Sequence, residues 1–173
     1  MRLPHLIRRS GVCSLAVLVL ALTGCFWKYG LAGGGLPSHV KTMAIQPFDN
    51  ETPTPEVQRE LLDIMRRDLQ SRLGVRDAPE SRSDAVVKGV IRTYDAEVPV
   101  AYSADPAQAV TARRRLRITL DVQIVDLTTN RTIWEKQGLS EEGEYAERDE
   151  PTGRREALRK IVNDIVEGAQ SQW

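Results

Sequence analysis

The sequence predicts an α+β fold, a two-layer sandwich in which two helices pack on one face of a mostly antiparallel four-stranded sheet. Three observations predict it: two segments carry apolar residues at helical spacing, one strand alternates strictly between apolar and polar residues, and a short turn joins that strand to another. The expected order of elements is β-α-β-β-β-α. A chain of 173 residues has room for one such domain, which we assign to residues 38–173.

The first strand and the first helix are predicted over residues 40–48 and 56–73. The strand is apolar on both faces, as is typical of a central strand, and Pro47 marks its end because proline has no backbone N–H to donate. Thr54 is expected to cap the helix and Gly74 to end it in the left-handed conformation. One apolar stripe indicates the face of the helix that contacts the sheet: Val57, Leu61, Ile64, Met65, Leu69 and Leu73.

Two further strands are predicted after the helix. Residues 85–94 predict the second strand, with an expected bulge near Asp95. Residues 115–124 alternate most strictly and predict the third strand, with its even-numbered apolar residues in the core. Because these apolar residues occupy a single face, the other face of the sheet is expected to be polar and open to solvent.

The last strand and the last helix complete the predicted domain. Thr128–Arg131 is interpreted as the connection of a hairpin, and residues 132–137 as the antiparallel strand that places Trp134 on the covered face. Glutamates dominate residues 141–150, which we expect to form a solvated loop. Thr152 is expected to cap the final helix. A second apolar stripe follows it: Ala157, Leu158, Ile161, Val162, Ile165 and Val166.

Residues 1–24 have the layout of a secretory signal peptide: arginines, then an apolar segment shorter than the roughly 20 residues of a spanning helix, then small residues. The motif Leu22-Thr23-Gly24-Cys25 resembles the processing signal of bacterial lipoproteins, in which the cysteine thiol receives a diacylglycerol. We therefore expect cleavage before Cys25 and a lipidated, glycine-containing tether over residues 25–37. The alternatives are an ordinary signal peptide with a chance cysteine, and an uncleaved anchor.

The expected location follows from this anchor. Two or more acyl chains hold a protein stably at a membrane, whereas a single chain is marginal. Phe26 follows Cys25 in place of the aspartate that is associated with inner-membrane retention, by resemblance to lipoprotein sorting in bacteria with two membranes. The sequence therefore predicts a lipid-anchored protein of the outer membrane.

Charge and composition exclude several classes of site. Removal of residues 1–24 takes away three of the 24 basic residues and none of the 24 acidic ones, which leaves a net charge of about −3. Such a charge does not attract nucleic acid, so no nucleic-acid partner is expected. Cys25 would be the only cysteine left and His39 the only histidine, so neither a disulfide nor a metal site is expected.

No catalytic residue and no cofactor site is predicted. His39 is not accompanied by a nucleophile motif such as G-x-S-x-G. The glycines at 33–35 lack the lysine and the serine or threonine of a phosphate-binding loop. The neighbouring carboxylates Glu141 and Glu142 are interpreted as part of the solvated loop. We therefore expect a protein that is not an enzyme.

The segments that carry a family resemblance extend from the tether to the hairpin. They are Cys25 with Tyr29-Gly30-Leu31 and the glycines that follow, Leu36-Pro37, Val40–Ile45, Phe48-Asp49-Asn50, the helix of residues 56–73, Ala85–Ile91, and the hairpin from Val125-Asp126 to Trp134. Together they resemble the LPS-assembly lipoproteins of the LptE family. The resemblance implies a non-catalytic domain that lodges in the lumen of the LptD β-barrel, helps that barrel assemble and assists delivery of lipopolysaccharide to the outer leaflet. The reduced glycine-aromatic start and the slightly acidic mature charge depart from the family pattern.

A row of arginines is the candidate binding site within that resemblance. Arg113, Arg115 and Arg117 would share one face of the third strand. Guanidinium groups match phosphate oxygens in a bidentate geometry, so these residues are candidate contacts for the phosphates of lipopolysaccharide. The alternative is a solvated polar face on which Glu97 and Glu135 balance the arginines.

A second functional class remains open. The turn Gln46-Pro47-Phe48-Asp49-Asn50 between strand and helix is similar to that of curli-secretion lipoproteins and of penicillin-binding-protein activators. The alternative function is therefore an envelope lipoprotein that regulates a peptidoglycan synthase or takes part in curli-type secretion.

Overall fold

The computed structural model describes residues 36–98, 113–146 and 148–171. The processing motif Leu22–Gly24, the lipidation residue Cys25 and most of the predicted tether lie outside these residues. The described elements belong to the compact unit Gly34–Trp173. Along the chain they are β1 (Thr42–Ile45), β2 (Asp49–Asn50), α1 (Pro55–Leu73), β3 (Arg76–Asp77), a 3₁₀ helix (Glu80–Arg82), β4 (Ala85–Val98), β5 (Arg113–Asp126), β6 (Arg131–Ala146) and α2 (Glu150–Ser171).

The strands of the described residues form one mixed sheet in the order β3-β1-β4-β5-β6, and β2 pairs with β4 beyond the end of β1. β1 runs parallel to both β3 and β4, and β2 runs parallel to β4. β4, β5 and β6 form an antiparallel meander. The predicted α+β class with two helices is confirmed. The predicted order of elements and the predicted sheet of four mostly antiparallel strands are wrong.

Pro47 divides the predicted first strand into β1 and β2. Gln46 donates its backbone N–H to Val87 O of β4 at 3.0 Å. The next residue has no N–H to donate, so the ladder stops there. Pairing resumes where Asp49 lies opposite Val90. One predicted strand therefore becomes two short ones.

The edge strand β3 has no counterpart in the sequence prediction. After α1 the chain turns back along β1, where Arg76 N donates to Lys41 O at 3.0 Å and Ala78 N donates to Met43 O at 3.2 Å. Two residues are too few to show an alternation of apolar and polar side chains. Backbone pairing, which the side-chain pattern does not reveal, thus supplies the additional strand.

β6 extends much further than the sequence predicts. The expected glutamate-rich loop over residues 141–150 is wrong, because β6 continues to Ala146 and α2 begins at Glu150. Gly138 adopts a φ of 62°, and the pairing of β6 with β5 shifts register at this point. A bulge of this kind moves the later side chains to the opposite face, so the strand loses one continuous alternation.

The predicted helical stripes lie in the core. Leu73 of α1 is half-buried, and all other predicted residues of both stripes are buried. Thr54 precedes α1 in an extended conformation without a side-chain capping bond, and Gly74 ends it at a φ of 67°. Thr152 is not the cap of α2, because that helix already begins at Glu150.

Both helices contribute to a single core cluster with the even-numbered residues of β5. Trp134 packs against this cluster, as predicted, and its ring lies directly over Gly168 of α2. A register shift between Asp95 and Val98 confirms the predicted bulge in β4. Within the described residues, no helix has the length and apolar content needed to cross a membrane.

Candidate functional site

The candidate site lies on the open face of the sheet, on the odd-numbered residues of β5. Side chains alternate along a strand, so Arg115 and Arg117 point away from the buried even-numbered residues. Arg113 begins β5 opposite Ala146 of β6, and its side chain lies outside the described part of the structure. The strand thus brings Arg115 and Arg117 to one face.

Each of these two arginines forms an ion pair with a glutamate of the neighbouring strand β6. Arg117 Nε donates to Glu142 Oε1 at 3.1 Å, and Arg115 Nε donates to Glu144 Oε1 at 3.3 Å. Arg115 Nη1 also lies 3.7 Å from Glu142 Oε2, so Glu142 joins the two arginines. We refer to Arg115, Arg117, Glu142 and Glu144 as the Arg–Glu cluster.

The carboxylates of this cluster are not Glu97 and Glu135, the two expected from the sequence to balance the arginines. Glu97 instead accepts a hydrogen bond from Arg114 Nη1 at 2.8 Å, and Glu135 lies opposite Gln123. The sequence predicts a loop at Glu142 and Glu144, whereas β6 places both residues opposite the arginines. No local alternation marks Glu142 and Glu144 as strand residues, because Glu141 interrupts the apolar positions between Leu139 and Tyr145.

The Arg–Glu cluster is accessible to a ligand. The side chains of Arg115 and Arg117 are 38% and 45% exposed. Ion pairs of this exposure contribute only about 0–1 kcal/mol each, so an arginine can exchange its partner at little cost. A phosphate presents the same paired oxygens to a guanidinium as a carboxylate does. The arrangement can therefore act as an exchangeable anion site.

A second ion-pair group lies on the same open face. Arg92 Nε donates to Asp121 Oδ2 at 2.8 Å, and Arg92 Nη1 donates to Glu51 Oε1 at 2.7 Å. The N–H of Gly138 at the bulge also donates to Asp121, at 2.8 Å. The hydrogen bond from Gly138, followed by that from Arg92, lowers the pKa of Asp121.

A cleft of about 350 Å³ lies beside this second group. Its charged lining consists of the carboxylates of Asp49, Asp121 and Glu135 and the ammonium of Lys88, so its composition favours cations over anions. The lining includes Gln46, Lys88, Asp121, Gln123, Glu135 and Gln137.

His39 contacts a buried carboxylate at the end of β5. His39 Nε2 lies 2.7 Å from Asp126 Oδ2, and the amides of Thr128 and Thr129 donate to Asp126 Oδ1 at 2.7 and 3.1 Å. Burial alone would raise the pKa of Asp126, but these hydrogen bonds outweigh burial and lower the pKa to about 2. The pair ties the chain before β1 to the β5–β6 turn. The described residues contain no group of three or more His, Cys, Asp or Glu side chains placed to hold a metal ion.

Arg154 is a buried charged residue within the apolar stripe of α2. It is 8% exposed, and its Nε and Nη2 donate to the two carboxylate oxygens of Glu60 in α1 at 3.2 and 2.9 Å. Arg154 Nη1 lies 3.6 Å from Glu150, which also accepts a hydrogen bond from the hydroxyl of Tyr94 in β4. The hydrogen bonds to Glu60 raise the pKa of Arg154. Burial, and then the hydrogen bond to Glu150, raise the pKa of Tyr94.

These four residues, which we call the interhelical cluster, were missed by sequence reasoning. Arg154 lies three and four residues before Ala157 and Leu158 and therefore shares their helical face. That spacing is the signal that could have found it. The cluster joins α1, α2 and β4, so it fixes the helices against each other and against the sheet.

Comparison with protein families identifies the family of this chain. The family model LptE, described as lipopolysaccharide-assembly, matches residues 40–170 of the chain. No curated protein matches the sequence of this chain.

Solved structures resemble the fold at low sequence identity. The PelC dodecamer from Paraburkholderia phytofirmans has a TM-score of 0.52 and 14% identity, over 80% of this chain and 93% of that chain. Protein XCC0632 from Xanthomonas campestris has a TM-score of 0.54 and 11% identity, over 80% and 91%. The hypothetical protein CT253 from Chlamydia trachomatis has a TM-score of 0.52 and 12% identity, over 75% and 98%. At such identities the likeness concerns the fold alone.

Proposed function

Since the chain belongs to the LptE family of lipopolysaccharide assembly, we propose that it is an outer-membrane lipoprotein that associates with an LptD-like β-barrel and assists lipopolysaccharide transport to the cell surface. The family match over residues 40–170 is the observation that carries the proposal. The family consists of non-catalytic envelope lipoproteins, so its membership favours an assembly role over an enzymatic one.

The proposed anchor is an acylated Cys25, released by cleavage of the Leu22-Thr23-Gly24 motif. Its test is metabolic labelling with a fatty acid. Cys25→Ala is expected to lose the label and to release the domain from the membrane, because the thiol is the only acceptor that the motif provides. Persistent labelling of this variant would contradict the proposal.

The open sheet face supports association with a polar surface. The two helices bury their apolar stripes in the core, so the face opposite them is a broad surface left for a partner. That face carries the Arg–Glu cluster and the ion pairs of Arg92, which present both charge signs. The lumen of an outer-membrane barrel is lined by polar side chains and suits such a face.

We also propose that Arg115 and Arg117 contact phosphate groups of lipopolysaccharide, with Arg113 in the same row. The exposed position of the Arg–Glu cluster supports this, because a phosphate can take the place of Glu142 or Glu144. Charge reversal at both positions, R115E with R117E, is expected to weaken lipopolysaccharide binding and to reduce its salt dependence. Unchanged binding and salt dependence would remove this site but would leave the barrel association standing.

The decisive experiment for the main proposal is a detergent pull-down of the full chain from native envelopes. We expect a stoichiometric complex with a large outer-membrane barrel. A pull-down that yields the domain without a barrel would overturn the proposal. Capture of a peptidoglycan synthase, or a ring of the chain itself, would favour the alternative functions.

A further inference from the structure

Among the described strands, β6 lies at the edge of the sheet and pairs with β5 alone. It spans 16 residues, Arg131–Ala146. The last part of it, Leu139–Ala146, pairs with Arg113–Leu120 residue for residue, without a register shift. A long and regular edge presents a row of backbone N–H and C=O groups to which a further strand can pair. This regular segment is therefore the part of the edge most open to strand addition.

Two side chains of α2 already occupy backbone groups in the middle of that segment. Lys160 Nζ donates to Glu142 O at 2.8 Å, and Glu144 N donates to Glu156 Oε2 at 3.2 Å. In an antiparallel pair, the backbone groups of alternate residues point to the same side. Residues 142 and 144 are two apart and direct these groups to α2 side chains, so the groups lie on the side away from β5.

The two side chains also bind each other. Lys160 Nζ lies 2.8 Å from Glu156 Oε1, an i,i+4 pair on one turn of α2. The lysine ammonium thus covers a carbonyl and the carboxylate covers an amide of the same edge. The hydrogen bonds that Glu156 makes with Lys160 and with the amide of Glu144 lower the pKa of Glu156, with the lysine as the larger cause.

We propose that the Glu156–Lys160 pair closes the free edge of β6 against pairing with a second copy of this chain. A second copy is the occupant that the geometry favours, because it brings an identical regular edge and can pair antiparallel about a twofold axis. Pairing of this kind would need the C=O of Glu142 and the N–H of Glu144, and both are already bonded to α2. The inference does not depend on the proposed role in lipopolysaccharide assembly.

The test is the double substitution E156A/K160A in the full chain, with protein mass measured by sedimentation equilibrium in density-matched detergent. Both side chains are more than 40% exposed, so their removal should leave the fold intact, which circular dichroism checks. We expect the variant to double in mass at concentrations where the parent chain does not. The matched control is N163A/E167A, which removes another i,i+4 pair of α2, joined at 2.7 Å. The control should keep the mass of the parent.

A second measurement tests the mechanism directly. Hydrogen exchange of the Glu144 amide should accelerate in dilute E156A/K160A and slow again as the concentration rises, because a paired strand protects it. The milder K160A variant keeps the acceptor of that amide and should exchange at a rate between those of the parent and the double variant. The inference is overturned if E156A/K160A keeps the parent's mass at every concentration, or if its Glu144 amide exchanges no faster than in the parent.

Discussion

Gly143 of β6 and Gly153 of α2 lie backbone against backbone: a Cβ atom added to Gly143 would come within 1.8 Å of Gly153 O. The absence of both side chains lets the first turns of α2 lie directly on the strand. This close approach is what allows Glu156 and Lys160 to reach the edge of β6. It also sets the position of Arg154, which follows Gly153 and turns toward α1.

Gly143→Ala is therefore expected to destabilise the domain by about 1–3 kcal/mol, the usual cost of overpacking, because backbone rather than a flexible side chain must move. The free energy of unfolding from urea titration measures this. Gly74→Ala is the control, because it introduces backbone strain without a steric clash. Gly74 has a φ of 67°, and no atom lies within 4 Å of an added Cβ. It should cost about 1–2 kcal/mol from backbone strain alone. A Gly143→Ala variant as stable as the parent would contradict the observed contact.

The elements that could be predicted from the sequence are those whose signal is local. Burial of a helix face or of one strand face repeats every few residues, and so the two stripes and the alternation of β5 were found. Pro47 predicts an end to the first strand, but the second short strand that follows it depends on pairing with β4. β3 and the second half of β6 depend on pairing and on the Gly138 bulge, which no local pattern reveals.

The candidate site divides in the same way. Arg115 and Arg117 could be placed on one face because β5 alternates strictly. Their partners Glu142 and Glu144 could not, because they lie 25 and 29 residues away along the chain and on a strand whose register shifts. Arg154 was missed because a charged residue is normally assigned to the solvent side of a helix.

Arg154→Ala should destabilise the domain more than a surface substitution does. It removes two hydrogen bonds to Glu60 and leaves that carboxylate without its cation at the α1–α2 contact. Breaking a fully buried pair costs about 3–5 kcal/mol, and since the Glu60 side chain is 30% exposed we expect about 1–3 kcal/mol. Thermal and urea unfolding measure the change. The neighbouring Arg155→Ala, on the exposed side of α2, should stay within about 0.5 kcal/mol. Equal effects of the two substitutions would contradict the role of the interhelical cluster.

Asp126 makes the free energy of unfolding depend on pH in the acid range. Its pKa is lowered from 3.8 to about 2 in the folded chain, so the folded state releases the proton more readily than the unfolded state. Its contribution is complete above pH 3.8 and is lost as the pH falls toward 2. Asp126→Asn should therefore flatten the fall in the free energy of unfolding across this window, and Asp126→Ala should cost about 1–3 kcal/mol at pH 7 by leaving the turn amides unpaired. An unchanged pH profile in Asp126→Asn would contradict the assignment.

Glu141 is expected to change the pH dependence of stability in the direction opposite to Asp126. Burial against α2, followed by the nearby carboxylate of Asp164, raises the pKa of Glu141 above its usual range. A raised carboxyl pKa contributes stability below the unfolded pKa, and this contribution is lost as the pH rises through the folded pKa. Glu141→Gln should therefore stabilise the domain at pH 7 and give no gain at pH 3, as measured by thermal unfolding at both pH values. The same gain at both pH values would show that charge is not the cause.

The proposed binding of lipopolysaccharide at the Arg–Glu cluster has a test that separates competition for the arginines from attraction by net charge. If phosphate takes the place of Glu142, then Glu142→Gln should strengthen binding, because both arginines lose a competing carboxylate while the side chain keeps its shape. The Kd should fall about two- to five-fold, which corresponds to the free energy of an exposed ion pair. This effect should become smaller as salt is added. Glu97→Gln removes the same charge from Arg114 instead and is the matched control. If Glu142→Gln and Glu97→Gln change the affinity equally, the arginines of β5 act only through net charge and are not a phosphate site.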